Sequence, residues 1–248
     1  KILRIISKIN WGIFSKIKIK EDHLKELRKI SKEYCLHLCG KITGYYSLTP
    51  QKKNGFYAER VHMGATLLGE ILTRSGIETK VIDYSFLNGI KSRIKIPTPD
   101  EIISEFKPSV VGISVFTYLF DESFELIESV SRNTDVPIMV GGPHVTLFPD
   151  DFMGDKRISY VVRGEAESVI LDLVKNAKKG PSPVLINSPI PLPEQIPAVN
   201  LDIALGSEFL KDYQIQLSRG CPFNCSFCSI DLIAGRRVRP RNLDTCID

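Results

Sequence analysis

No apolar run in the 248 residues is long enough to cross a membrane, which takes about 20 consecutive apolar residues. No signal peptide is evident in the first residues of the sequence: the apolar stretch after Lys8 is short, no small-residue cleavage site follows, and Lys16, Lys18 and Lys20 interrupt it. Internal repeats and low-complexity tracts are absent. Excess charge is nearly absent from the body of the chain. The formal +4 includes Lys1, Arg4, Lys8, Lys16, Lys18 and Lys20 with no acid among residues 1–20, which leaves a net −2 for the remainder. That balance gives no electrostatic case for a nucleic-acid-binding face. Cysteine is scarce too: there are six, three of them clustered, which fits a reducing cytoplasmic compartment better than a disulfide framework.

The 43% hydrophobic content is ordinary for a globular protein and allows a real core. Residues 1–33 read as a basic amphipathic helical segment, with Ile2, Ile5, Ile6, Ile9, Ile13 and Ile17 at helical spacings between lysines. Such a segment packs on a neighbouring domain or, through residues 1–20, makes a peripheral membrane contact. From about residue 34 to 180 strand and helix alternate. Tyr34–Cys39 is a strand candidate, Val61–Ser75 a helix ended by Gly76, and Ile77–Asp83 a second strand. Ser109–Val115, Val136–Val140 and Tyr160–Val162 are short β-branched runs of the kind buried on both faces of a parallel sheet. Asp121 opens a helix after the first of these, and Ala166, Val169, Ile170, Leu173, Val174 and Ala177 share one face of another after the third. This alternation predicts a doubly wound α/β sheet that binds ligands beyond the carboxyl ends of its strands. Six prolines at 181–197 mark residues 181–205 as an interdomain linker, and Tyr213–Leu217 reads as a strand leading into the cysteine cluster. The chain opens with Lys1 and closes at Cys246-Ile247-Asp248 in mid-element, so the expectation is a piece of a longer enzyme.

A dinucleotide site needs G-x-G-x-x-G in the first strand–helix turn, and that turn offers only Gly40 and Gly44, although Asp83 could imitate the ribose-binding acid. The histidines, His23, His37, His62 and His144, show no paired metal-ligand spacing. His144 reads as an exposed loop residue, and Cys35 and Cys39 as buried thiols.

The chemistry concentrates in Arg219-Gly220-Cys221-Pro222-Phe223-Asn224-Cys225-Ser226-Phe227-Cys228, a C-x3-C-x2-C cluster whose nearest later cysteine is Cys246. Thiolates suit iron–sulfur clusters and zinc. A structural zinc site usually supplies two C-x2-C knuckles, and a bacterial ferredoxin run supplies a fourth cysteine three residues on; neither is present. Three thiolates therefore leave one metal position open, with a zinc knuckle or unrelated structural cysteines as the alternatives.

This spacing, with an aromatic residue before the last cysteine, resembles the radical S-adenosylmethionine superfamily. The resemblance implies a 4Fe–4S cluster held at three irons by Cys221, Cys225 and Cys228, with S-adenosylmethionine on the fourth iron and Phe227 near its adenine. The blocks around Ser114, Gly141 and Gly164 look like the cobalamin-binding domain that precedes many such barrels. Ser114-x-Phe116 stands where those domains have S-x-L, and Gly141-Gly142 matches their paired glycines. The likeness covers roughly residues 34–240, including the basic stretch Gly235–Arg241. It departs where Phe116 replaces leucine and where D-x-H-x-x-G is missing; with no histidine between Cys39 and Arg60, cobalt is expected to lack a protein histidine.

The resemblance implies a flavodoxin-like or Rossmann-like doubly wound sheet over residues 34–180 and the start of a truncated radical S-adenosylmethionine β/α barrel over 206–248. It implies an iron–sulfur enzyme, with cobalamin a methyltransferase acting on an unactivated carbon of a small molecule or peptide, served by an external electron donor such as flavodoxin or ferredoxin. A cobalamin-independent radical oxidoreductase or cyclase, and a cobalamin-binding sensor, remain alternatives.

Overall fold

Short β-branched runs build the sheet in the computed structural model of the chain, which describes residues 61–210, 215–242 and 246. All of these belong to the unit Thr43–Asp248. The basic segment 1–33, the strand expected at Tyr34–Cys39 and the loop after it lie outside the described residues.

The helices are α1 (Met63–Arg74), α2 (Tyr84–Gly89), α3 (Pro99–Phe106), α4 (Phe120–Asn133), α5 (Pro143–Leu147), α6 (Asp150–Met153), α7 (Ile170–Lys175) and α8 (Ile230–Ala234). The strands are β1 (Val111–Ser114), β2 (Ile138–Gly141), β3 (Tyr160–Arg163), β4 (Val184–Asn187), β5 (Ser218–Arg219) and β6 (Arg239–Pro240). Strands β1 to β4 are parallel and lie side by side in chain order, with Ser114 in register with Gly141 and Arg163 with Asn187.

Alternation along these strands sends Ile113, Ile138, Val140 and Val161 to one face. There they pack against Ile103 of α3, Ile127 and Val130 of α4, Val145 of α5 and Phe152 of α6. On the opposite face Tyr160 and Ile186 line a cavity with Leu173 of α7, and α1 packs on α7. Helices thus cover both faces, which is why the strands could be apolar throughout. The chain has an α/β fold of the Rossmann-like kind.

Local signals explain the helix starts. His62 opens α1, its Nδ1 accepting from the Ala65 amide at 3.2 Å, and Gly76, at φ +78°, ends the turn that follows. Asp83 caps α2 through Oδ1, which accepts from the Ser85 and Phe86 amides at 3.0 and 3.1 Å, while its Oδ2 accepts from the His62 amide at 2.9 Å. One carboxylate therefore ties together the starts of two helices, and it is not available to a ribose. Burial pushes the Asp83 carboxyl up to about 6 against the opposing pull of those amides. Thr98 and Glu101 form a capping box on α3, with Pro99 in the first turn.

Three expectations need correction. In Ile77–Asp83 the described ladder is a single parallel bridge from Val81 to Ala204, because its partner segment sits inside a small second core with Phe86, Leu87 and Ile90. Part of the stretch read as a linker, Val184–Asn187, is the strand β4 beside β3. Of the strand expected at Tyr213–Leu217, Tyr213 and Gln214 lie outside the described residues and 215–217 are not a strand; the ladder described there is Ser218 and Arg219, antiparallel to Pro240 and Arg239. Among the described residues no helix is long and apolar enough to cross a membrane.

Candidate functional site

The carboxyl ends of β1, β2 and β3 bring Ser114, Gly141, Gly142 and Gly164 to one edge of the sheet. The Val115 amide donates to the Gly141 carbonyl at 2.8 Å, and the His144 amide donates to the Val115 carbonyl at 3.1 Å, so α5 starts against the end of β1. Pro143, which has no N–H to satisfy, occupies the first position of that helix. Thr146, one turn along, donates from Oγ1 to the Gly142 carbonyl at 2.9 Å and accepts from the Gly164 amide at 3.1 Å. It thereby fastens the end of β2 to the end of β3. No feature of the sequence pointed to Thr146, whose threonine is unremarkable until the helix turns it back on the glycine.

Gly142 has φ +101° and ψ −175°, a region that only glycine occupies without strain. A Cβ there would lie 2.9 Å from both Ser114 Oγ and the Val115 oxygen and 3.0 Å from the Val115 nitrogen. The space that the missing side chain vacates is taken by the protein itself. Gly141 differs, since a Cβ would meet the Val162 oxygen at an ordinary 3.5 Å. Gly142→Ala is therefore expected to cost roughly 3 kcal/mol or more of stability, and Gly141→Ala less than about 1 kcal/mol. Equal losses for the two variants in urea unfolding would refute this assignment.

The Ser114 hydroxyl, half-buried at this edge, makes no hydrogen bond among the described residues, which suits a hydroxyl offered to a ligand's nitrogen or oxygen. Phe116 is 3% exposed and packs edge-on against the His62 ring at 5.2 Å. His144 is not the exposed loop residue expected. It is 6% exposed, wedged among Phe120, Phe148 and Phe152. Its Nε2 donates to Asp151 Oδ2 at 3.0 Å, because a carboxylate only accepts, and in the neutral ring Nδ1 accepts from the Thr117 hydroxyl at 3.1 Å.

The second part of the site is the cysteine loop. Cys221, Cys225 and Cys228 are free thiols, each partly exposed. The Cys221 amide donates to the Gly235 carbonyl at 3.0 Å, and the Cys228 amide to the Cys225 carbonyl at 3.0 Å. Phe227 is 67% exposed beside them. Three unpaired thiols on one loop suit an iron–sulfur cluster in donor chemistry, although among the described residues no three His, Cys, Asp or Glu side chains are already gathered as a metal site.

The loop is carried by the β5–β6 hairpin, which is fixed by buried ions. Arg219 Nη1 lies 2.8 Å from Glu165 Oε2 and 2.6 Å from Glu167 Oε1, and Arg239 pairs with Glu165 as well. Burial works against the charge of Arg219, but Glu167 and Glu165 outweigh it and hold its pKa above the ordinary guanidinium value. Arg241, 6% exposed, donates to the Gln216 and Ile196 carbonyls at 3.1 Å. Two arginines of the stretch Gly235–Arg241 thus face inward.

The comparisons with known proteins agree with this geometry. The family described as the B12 binding domain matches residues 57–174, which contain β1, β2, β3 and their ends. An uncharacterized methyltransferase of Pyrococcus horikoshii is 29% identical over 193 residues, covering 67% of this chain and 41% of its own length. The anaerobic magnesium-protoporphyrin IX monomethyl ester cyclase of Rubrivivax gelatinosus is 27% identical over 59% of this chain and 31% of its own length. A bacteriochlorophyllide d C-12(1)-methyltransferase of Chlorobaculum tepidum is 29% identical over 69% of this chain and 37% of its own length. The chain thus spans between about a third and two fifths of the length of these three relatives. Fold and site define an α/β protein with a B12 binding domain. Over residues 57–174 the chain is similar to the B12 binding domain family, and the relatives it resembles are named as methyltransferases and a cyclase.

Proposed function

We propose that the chain is the cofactor-binding part of a radical S-adenosylmethionine enzyme that holds a 4Fe–4S cluster and a cobalamin and methylates or otherwise modifies an unactivated carbon. The observation that carries this reading is the tie between two loops: Glu165, the residue after Gly164 at the end of β3, is ion-paired with Arg219, two residues before Cys221. The ligand end of the B12 binding domain and the cysteine loop are thereby held at one end of the fold. Methyltransferase names among the relatives support the same reading.

When bound, the cluster would supply the electron that cleaves S-adenosylmethionine, and cobalamin a transferable methyl group. The chain's own residues bind and orient. Cys221, Cys225 and Cys228 would hold the cluster, Phe227 would lie near the adenine, and Ser114, Phe116, Gly141, Gly142 and Gly164 would surround the cobalamin tail. A small-molecule or peptide substrate, a flavodoxin or ferredoxin as electron donor and a cytoplasmic location complete the proposal. A second reading is a cobalamin-independent radical cyclase or oxidoreductase, for which the relative named as a cyclase supports the cyclase part alone.

Titration of the anaerobic chain with cob(II)alamin separates the two. Saturable binding is expected, with cobalt resonances free of nitrogen superhyperfine splitting, because the benzimidazole tail would be drawn toward Ser114 and Gly141-Gly142 and away from cobalt, and both nitrogens of His144 are engaged. Failure to bind cobalamin would leave the cyclase reading in place. Splitting that disappears in His144→Ala would overturn the absence of a histidine ligand.

A further inference from the structure

Arg219 of β5 and Arg239 of β6 are register partners on a two-stranded ladder only two residues long. Like charges placed directly opposite destabilise such a pair, and so short a hairpin has little stability of its own. Between the two guanidiniums sits one carboxylate. Glu165 Oε2 accepts from Arg219 Nη1 at 2.8 Å and from Arg239 Nη1 at 3.2 Å, and Oε1 accepts from Arg239 Nη2. Glu167 adds a second carboxylate, on Arg219 alone, at 2.6 Å. The four side chains are between 5% and 12% exposed and sum to zero charge. Arg219 Nε is further held by Gln216 Oε1 at 2.7 Å, and Arg239 donates to the Pro191 and Ala234 carbonyls at 3.0 and 3.1 Å.

We propose that Glu165 is a positioning residue: by bridging Arg219 and Arg239 it neutralises a like-charge pair, closes the β5–β6 hairpin and sets the cysteine loop in register with the ligand end of β3. The two strand ends of the hairpin flank the loop on both sides, so a single carboxylate governs where all three thiols are presented. Glu167 holds only the first arm and is secondary. The inference rests on the proposed function only in naming that loop as the cluster's; the placement of the loop by Glu165 stands on the ion pairs alone.

Hydrogen exchange on the metal-free chain tests it without recourse to activity. Glu165→Gln keeps the shape and removes the charge. It is expected to speed exchange of the Cys221 amide, which donates to Gly235 within the hairpin, by about tenfold or more. The β2 amides should stay protected, and Glu167→Gln should have the smaller effect on Cys221. Arg239→Lys keeps the charge but loses the fork that reaches Glu165 and both carbonyls at once, and is expected to give intermediate exchange, which serves if Glu165→Gln does not fold. Unchanged exchange at Cys221 in these variants, or an equal rise throughout β2, would overturn the proposal. Iron content after anaerobic reconstitution, measured in parallel, should fall in Glu165→Gln. If exchange responds as expected while the unsubstituted chain takes up no iron, the cluster reading fails and the positioning role stands.

Discussion

Alanine at Cys221, Cys225 or Cys228 is expected to leave the anaerobically reconstituted chain nearly without iron, falling from about four irons to under one per chain. A cubane held by three thiolates has one open iron corner by design. Removing one of the three thiolates leaves two corners without protein ligands, and the cluster is then lost to solvent and oxygen rather than merely weakened. The local structure should survive, because none of the three side chains is in the described core and the turn between Cys225 and Cys228 is closed by backbone groups. A loss of iron with unchanged unfolding midpoint is therefore the expected combination. Cys246 provides the internal control: its thiol lies 3.5 Å from the Gln216 carbonyl, away from the loop's own turn, and Cys246→Ala should load iron like the unsubstituted chain. Iron, sulfide and the brown absorbance of the product are the measurements. A triple alanine variant that still holds about four irons would falsify the assignment of these ligands.

Much of the sheet was legible because buried parallel strands have a composition that little else shares. Ser109–Val115, Val136–Val140 and Tyr160–Val162 were expected as strands, and the structure places β1, β2 and β3 within one or two residues of those limits. The fourth strand was hidden by its flanks. Pro181, Pro183 and Pro189 argue against a central strand but not against an edge, and β4 borders the described sheet with Val184 and Leu185 exposed at 51% and 37%. Ile77–Asp83 shows the reverse error, since a short stretch expected as a strand became one bridge when its partner turned out to be the segment around Ala204.

The site was legible where chemistry is written in spacing and hidden where it depends on the fold. Three cysteines within eight positions identify themselves. Glu165 and Arg239 are 74 residues apart, and Glu165 and Arg219 54, so in the sequence each reads as an ordinary solvated charge. His144 misled for a similar reason. After a Gly-Gly-Pro a histidine resembles a loop residue, yet the helix that Pro143 starts folds its ring under Phe120, Phe148 and Phe152. Polar atoms become meaningful here only after the strands have delivered their partners.

Replacing Gly220 by alanine is expected to dismantle the presentation of the cysteine loop while sparing the sheet. Gly220 has φ +86°, and a Cβ on it would stand 2.2 Å from the Arg237 oxygen, 3.0 Å from the Arg237 carbonyl carbon and 3.2 Å from the Gly235 oxygen. These are backbone atoms, which cannot swing aside as the end of a flexible side chain would. The positive φ alone disfavours alanine by about 1–2 kcal/mol, and the overlap adds roughly 1–3 kcal/mol. A ladder of two residue pairs has no reserve to absorb that, so the hairpin should yield before the four-stranded sheet does. The Cys221 amide would then lose the Gly235 carbonyl, and the arginines on either side would lose their common position on Glu165. Iron loading is expected to fall by at least about tenfold, with exchange accelerated at Cys221 and unchanged in β2. Gly154→Ala is the matching control, because its φ is −86° and a Cβ there meets nothing within 4 Å; it should be neutral or stabilising by about 0.4–1 kcal/mol. Normal iron loading in Gly220→Ala would mean that the loop can present its thiols without the hairpin.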